Sequence, residues 1–259
     1  YDATPGHSQK PVPWEEPDVF QGPGFTDAHN MLGVASCFAA TALKEAAQSY
    51  NLPVKIRLLG TPAEKLCVGK PYMARDGFFD GMDAVLAWHP GGPTTVLGEV
   101  WPLAYRSMLF NFSVKRAAGG TSGDVSYPGA LDAAVLMYNN VNFMKEHILA
   151  LMRRGGSINE FMMTGGQCTV STPEFSQLVY CWRTTSLEDQ RTITDVVERC
   201  AEAAALVADC SVESRLLTAV RTGLPNRVMT DLVMRNLRTV GPPRHTAEDK
   251  DFARSIQRN

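Results

Sequence analysis

A change in hydrophobic pattern near residue 106 most constrains the fold of this chain. Before it, two short apolar segments, "PVKIRLLG" at 53–60 and "DAVLAWHP" at 83–90, alternate with helical patterns at about 30–50 and 69–75. After it, "RSMLFNFSVK" at 106–115 has apolar side chains at every second position, which is typical of an antiparallel strand with one exposed face. The first pattern predicts strands of an α/β layer, in which ligand groups gather at the carboxyl ends of strands.

The second pattern predicts a small inserted domain. Its elements follow in the order strand, helix, strand, strand, helix, strand, and this order is the split βαβ arrangement of an α+β domain (βαββαβ). We predict a strand at 106–115, a helix at about 129–153, strands near 159–170 and 175–183, a helix at about 186–208, and a strand at 210–220. Ser186 and Asp189 resemble a helix N-cap with an acidic first turn. Two further helices are predicted, at about 226–239 and 247–258, so the chain divides into parts 1–105, 106–220 and 221–259.

Composition limits the partners. The chain has 259 residues, 44% of them hydrophobic, and a net charge of −2 with no basic cluster, so nothing indicates nucleic acid or an anionic membrane as a partner. No apolar run reaches the roughly 18 to 20 residues of a membrane span, and the first residues lack the features of a signal peptide. We therefore expect a cytoplasmic protein whose partners are small molecules or other proteins. Because the chain begins at Tyr1, we also expect processing or a longer parent protein.

Six segments carry a family resemblance. They occur in family order at 1–3, 28–33, 58–64, 77–90, 129–140 and 224–227: "YDA", "AHNMLG", "LLGTPAE", "GFFDGMDAVLAWHP", "GALDAAVLMYNN" and "LPNR". Together they resemble the M20 metallopeptidase and amidohydrolase family, in the branch of aminobenzoyl-glutamate hydrolase and the M20 domain-containing dipeptidases. The resemblance implies a zinc-peptidase-like α/β catalytic layer interrupted by a lid domain at 106–220, through which the protein forms a homodimer. It also implies family segments before residue 1 and after residue 259, the latter with a late metal-binding histidine.

The resemblance implies a set of metal ligands. "TDAHN" at 26–30 corresponds to the family's Gly-Cys-Gly-His-Asn, so Asp27 stands in the place of the cysteine ligand and His29 keeps the histidine. A carboxylate can bind zinc in place of a thiolate. The alternative is that Asp27 caps the helix that begins near Asn30. His89, after the second apolar segment, matches a further family ligand, although a lone histidine is as often structural.

The family's paired glutamates correspond to Glu64 and Lys65. The first would be the general base, whereas Lys65 has no lone pair for a metal when it is protonated. We therefore name Glu64, Lys65 and Asp2 of "YDA" as candidate catalytic residues. The alternative for the pair is a solvated surface turn. The family's lid histidine is replaced by Gly119 or Gly120, and its lid turn is altered at Gly165 and Gly166.

Ligand counting separates three hypotheses. Catalytic zinc needs about three protein ligands, and Asp27, His29 and His89 could supply them for one zinc or other divalent ion. The first hypothesis is a homodimeric hydrolase of a small amide or dipeptide-like molecule, with Glu64 as acid and base and at most one ion. The second is a metal-free enzyme or ligand-binding protein on the same scaffold, with no cofactor. The third is a noncatalytic dimerisation partner. The family name favours a hydrolase of C–N amide bonds, with an altered metal site.

Overall fold

The structure is a computed structural model that describes residues 1–91, 94–96, 104–115, 128–151, 156–164 and 173–258, with the side chains of 149–151 and 161–164 left aside. The chain forms two compact units. Unit 1 comprises 1–98 and 226–259, and unit 2 comprises 99–225. The elements in chain order are α1 His29–Ser49, α2 Gly69–Arg75, β1 Ala104–Val114, α3 Ala130–Leu151, β2 Ser157–Thr164, β3 Phe175–Thr184, α4 Leu187–Val207, β4 Cys210–Val220, α5 Arg227–Val240 and α6 Ala247–Arg258.

Unit 2 confirms the predicted order of strands and helices. Its four strands form an antiparallel sheet in the order β2-β3-β1-β4, and the two helices α3 and α4 share one hydrophobic core with it. Five large, buried side chains of that core come from alternate positions of β1 and β3: Phe110, Phe112, Leu178, Tyr180 and Trp182. Alternation places them on one face of the sheet, where burial of this much apolar area supplies most of the stability.

The predicted antiparallel strand at 106–115 is confirmed as β1, which lies between β3 and β4. Its polar face is partly exposed at Asn111 and Ser113, although Ser107 is only 2% exposed. The alternating pattern identifies the strand but does not say whether it lies at the centre or the edge of the sheet.

The start of α4 confirms a local prediction. The Ser186 hydroxyl oxygen accepts a hydrogen bond from the backbone N–H of Asp189 at 3.0 Å, and the hydroxyl donates to the Asp189 carboxylate at 2.8 Å. The first bond satisfies a backbone N–H that would otherwise be unpaired at a helix start, so the cap fixes where α4 begins.

Unit 1 contains four helices among its described residues, α1, α2, α5 and α6. The strands predicted at 53–60 and 83–90 are wrong, since neither segment pairs with another described segment. A strand needs a hydrogen-bonded neighbour, and sequence pattern alone does not supply one. Their apolar side chains are correspondingly exposed, including Val54 at 52%, Leu58 at 49% and Leu86 at 71%. Among the described helices, none has both the length and the hydrophobicity to cross a membrane.

Candidate active site

The first site residues precede and begin α1. Asp27 and Ala28 both have left-handed backbone conformations with φ of 53°, and the chain then enters the helix at His29. The N-cap position is Ala28, without a side-chain hydrogen bond, so the alternative in which Asp27 caps this helix is wrong. The Asp27 carboxylate instead accepts a hydrogen bond from Lys65 Nζ at 2.7 Å. His29 is 1% exposed, so its imidazole is held in one place.

Asp2 connects two parts of the site. Its Oδ1 lies 2.7 Å from His29 Nδ1, and its Oδ2 accepts from the backbone N–H of Lys65 at 2.7 Å. The amino group of Tyr1 donates to the Thr61 carbonyl at 2.9 Å, which places Asp2 beside the turn that carries Lys65. Burial by itself raises the pKa of Asp2. The hydrogen bonds with the Lys65 backbone N–H and the His29 ring together have the larger effect, and they hold the pKa below its usual 3.8. Asp2 is therefore an ionised carboxylate at neutral pH.

Glu64 and Lys65 lie in a tight turn. Ala63 and Cys67 flank the pair with φ of 51° each, and Gly69 follows where an added Cβ would lie 2.0 Å from the Pro62 carbonyl oxygen, so only glycine fits there. The solvated-turn alternative is wrong, because both side chains point to other site residues. Glu64 Oε2 lies 3.5 Å from His29 Nε2 and Lys65 Nζ is bound to Asp27. The hydrogen bond from Lys65 is the main reason that the pKa of Asp27 lies below its usual 3.8.

The two histidines present lone pairs to each other. His89 Nδ1 lies 2.8 Å from the Pro90 carbonyl oxygen, which can only accept, so this nitrogen carries a hydrogen. The same reasoning places a hydrogen on His29 Nδ1, because its partner Asp2 is an ionised carboxylate. In neutral rings both Nε2 atoms are then acceptors, and they lie 3.3 Å apart. Two lone pairs at this separation repel each other unless a cation, either a proton or a metal ion, lies between them.

The spacing of the donors fits a metal ion. His29 Nε2 lies 3.3 Å from His89 Nε2 and 3.8 Å from Asp27 Oδ2. Ligands placed tetrahedrally at about 2.0 to 2.1 Å from zinc are about 3.3 to 3.4 Å apart, so the separation of the two nitrogens fits and that to Asp27 is somewhat longer. The ligand atoms of all three residues lie within 4.8 Å of one another. A second group, Asp2, His29 and Glu64, is also compact, but it uses the same histidine.

The structure brings all six predicted site residues together. Asp27, His29 and His89 form one compact group of ligand atoms, while Asp2, Glu64 and Lys65 each contact a member of it. Sequence reasoning missed the Pro90 carbonyl and the Lys65 backbone N–H, since backbone groups leave no signal in residue identity. The predicted lid positions, Gly119, Gly120, Gly165 and Gly166, lie outside the described residues.

An apolar groove adjoins the buried histidine. It has a volume of about 520 Å³ and runs along α1 from His29. Its lining is mostly nonpolar and includes Tyr1, Phe25, Val34 and Phe38. Small-molecule sites commonly combine such a surface with a few convergent polar groups.

Comparison with known proteins gives relatives in sequence. No protein-family model matches the chain. It is 32% identical over 258 residues to a p-aminobenzoyl-glutamate hydrolase subunit of Escherichia coli K12, a match that covers 99% of this chain and 53% of that protein. It is 30% identical over 241 residues to the human Xaa-Arg dipeptidase, which covers 87% of this chain and 51% of that protein. The chain thus spans about half the length of the curated relatives that it matches.

Two solved structures share the fold. The YXEP protein of Bacillus subtilis, described as a dinuclear metal binding peptidase from the M20 family, has a TM-score of 0.50 at 15% identity and covers 93% of this chain and 62% of that one. A putative aminohydrolase from methicillin-resistant Staphylococcus aureus has a TM-score of 0.51 at 17% identity, and the match covers 93% of this chain and 64% of that one. The predicted fold class and family resemblance are confirmed: in sequence this chain is a relative of a p-aminobenzoyl-glutamate hydrolase subunit and of Xaa-Arg dipeptidases, and in fold it is similar to a peptidase of the M20 family.

Proposed function

We propose that this chain carries the hydrolytic site for a small amide or dipeptide-like substrate, and that Asp27, His29 and His89 hold one divalent ion there. The observation that carries the proposal is the opposed pair of imidazole lone pairs, His29 Nε2 and His89 Nε2 at 3.3 Å, with Asp27 Oδ2 beside them. A metal ion bound at this point would act as a Lewis acid and would lower the pKa of a bound water. The three ligands satisfy the minimum for catalytic zinc.

Glu64 is the general base of the proposed reaction. Its carboxylate is partly exposed, with 28% of the side chain accessible, and Oε2 lies 3.5 Å from His29 Nε2. It can therefore take a proton from a water beside the ligand atoms and return it to the leaving amine. Asp2 supports this arrangement without contacting the substrate, because its bond to Nδ1 fixes the tautomer of His29 and keeps Nε2 available as a ligand.

The apolar groove beside His29 supports the substrate class. Its aromatic and aliphatic lining suits a nonpolar group attached to the amide that is cleaved. The named activities of the relatives, on p-aminobenzoyl-glutamate and on Xaa-Arg dipeptides, are of this general kind. The first substrates to test with this chain are therefore p-aminobenzoyl-glutamate and an Xaa-Arg dipeptide.

The experiment compares hydrolysis and metal binding in the same variants. Glu64→Gln keeps the shape of the side chain but removes the base, so kcat/KM should fall by roughly 100-fold or more while the affinity for zinc, measured by calorimetry, changes little. Glu45→Gln, on the exposed face of α1, is the matched control and should be unaltered. Wild-type turnover in Glu64→Gln would refute the role of the base. A protein that binds these molecules but never cleaves them would favour the metal-free, ligand-binding hypothesis.

Unit 2 is proposed to form a lid and a homodimer contact. Its strand β4 is an edge of the sheet, with residues 213–216 exposed. Antiparallel pairing of two β4 strands centred on Ser214 would place Glu213 opposite Arg215 of the partner subunit, which joins opposite charges. Pairing would also cover an exposed edge.

Charge reversal tests this contact. Glu213→Arg should convert the dimer to monomer at micromolar concentration in light scattering, because arginines would then face each other. Glu213→Arg with Arg215→Glu restores the complementary charges and should restore the dimer. A monomeric wild-type protein, or a dimer insensitive to both variants, would contradict the proposed contact.

A further inference from the structure

The ammonium of Lys65 lies at the edge of the ligand group. Its Nζ is 2.7 Å from Asp27 Oδ2, which is the same oxygen that lies 3.8 Å from His29 Nε2. About 30% of the Lys65 side chain is accessible, so the cation is held against the site and is not freely solvated. A positive charge therefore already occupies one side of the proposed ligand Asp27.

The supply of further ligands is small. Both oxygens of Asp2 already accept hydrogen bonds, one from His29 Nδ1 and one from the Lys65 backbone. His29 and His89 each have only Nε2 left, because Nδ1 is bonded in both. Once one ion has taken both Nε2 atoms and Asp27, the two compact ligand groups of the described structure retain only the carboxylates of Glu64 and Asp2, and both oxygens of Asp2 are already hydrogen-bonded. Among the described residues, a second ion would therefore find too few ligands.

The charges lead to the same conclusion. Three carboxylates, Asp2, Asp27 and Glu64, together with the Lys65 ammonium, leave a charge of −2 when the histidines are neutral. One divalent ion neutralises that charge. A second ion would give the site, with the ammonium included, a net charge of +2, which is strongly unfavourable in a partly buried site.

We propose that Lys65 takes the place of a second divalent ion, so that this site binds one metal ion and uses the lysine ammonium as a fixed second cation. The inference rests on the proposed function, because the single ion is the one assigned there to Asp27, His29 and His89. Exchanging lysine for glutamate changes the charge of the site by two units, which is the charge of one divalent ion, and adds an oxygen ligand. Lys65→Glu should therefore create the missing site.

The test counts bound ions and does not depend on activity. Zinc is titrated by calorimetry into the full chain, and the metal retained after desalting is measured by elemental analysis. The wild type should bind one ion, Lys65→Glu should bind two, and Lys44→Glu, an equal charge change on the exposed face of α1, should bind one. Two ions in the wild type, or no gain in Lys65→Glu over the wild type, would overturn the inference.

A second variant keeps the inference testable if Lys65→Glu does not fold. Lys65→Met removes the ammonium but adds no ligand, so the stoichiometry should stay at one while the single ion binds about tenfold more tightly, because a like charge has gone and Asp27 Oδ2 is free. Unchanged affinity in Lys65→Met would overturn the role of the ammonium. Failure of the proposed function looks different: the wild type would bind no zinc at all, and the inference would then stand or fall on whether Lys65→Glu gains an ion.

Discussion

Ala28→Gly should stabilise the protein locally, although it removes a methyl group. Ala28 has a φ of 53° and is the N-cap of α1. A left-handed conformation costs a residue other than glycine roughly 1 to 2 kcal/mol, and glycine is also a better N-cap than alanine. Backbone strain of this kind is common at functional sites, where neighbouring contacts hold it in place.

Two terms oppose the gain. Glycine has more freedom in the unfolded chain, which costs about 0.4 to 1 kcal/mol. Burial of one complete methyl or methylene group contributes about 0.8 kcal/mol. The Ala28 methyl is half-buried, so its loss costs up to about 0.4 kcal/mol. At the midpoints the balance is a stabilisation of about 0.4 kcal/mol, to which the better N-cap preference of glycine adds, and the favourable extreme of the three terms is about 1.2 kcal/mol.

A matched substitution makes the sign decisive. Ala42 is exposed in the interior of α1, where glycine should destabilise the helix by about 1 kcal/mol. Hydrogen exchange of residues 29–49 measures both effects on the same helix: exchange should slow in Ala28→Gly and accelerate in Ala42→Gly. Equal destabilisation by both variants would refute the argument that Ala28 is strained.

Three further predictions concern single groups. Asp2→Asn should weaken zinc binding by roughly 10- to 100-fold in calorimetry, because the tautomer and orientation of His29 are no longer fixed. The pKa of Asp2 is lowered in the folded state, so its ionised form contributes stability above about pH 4, and this contribution is lost as the pH falls through the lower pKa of the folded state. Urea titrations over that pH range should show that Asp2→Asn loses less stability than the wild type. Tyr180 is fully buried, its pKa is raised by burial, and its hydroxyl has no partner among the described residues. Tyr180→Phe should therefore leave the free energy of unfolding unchanged or raise it by up to about 1 kcal/mol. Ser176→Ala removes a 2.6 Å hydrogen bond to the Ala130 carbonyl and should lower the free energy of unfolding by about 1 to 2 kcal/mol.

Sequence predicted most of what local signals determine. The bounds of α2 and α6 agree with the prediction, and the cap at Ser186 and the order of elements in unit 2 are confirmed. Each of these follows from neighbouring residues: a capping side chain, a helical or alternating pattern, or a breaking proline or glycine. The position of β1 at the centre of the sheet did not follow, because it depends on the pairing of distant strands.

The candidate site divides in the same way. Motif resemblance identified Asp27, His29, Glu64 and His89, because residue type at a given spacing is visible in sequence. The opposed lone pairs of His29 and His89 could not be predicted, since the residues are 60 positions apart and the tautomers depend on bonds to a backbone carbonyl and a carboxylate. The pairing of Lys65 with Asp27 was one of several contacts that the sequence allowed, and only the structure selects it.

The positions of the strained residues show that Asp2 affects more of the site than its single contact with the proposed ligand His29. Left-handed residues other than glycine occur in two segments of the site, at Asp27 and Ala28 before α1 and at Ala63 and Cys67 around the turn. Such conformations persist only where other contacts fix them. One oxygen of the Asp2 carboxylate is hydrogen-bonded to His29, the first residue of α1, and the other accepts a hydrogen bond from the backbone N–H of Lys65 in the turn. Asp2 therefore links the two strained segments directly. The same group that sets the tautomer of His29 therefore also holds Glu64 and Lys65 at their distances from it, and the geometry and the charge of the site depend on one carboxylate.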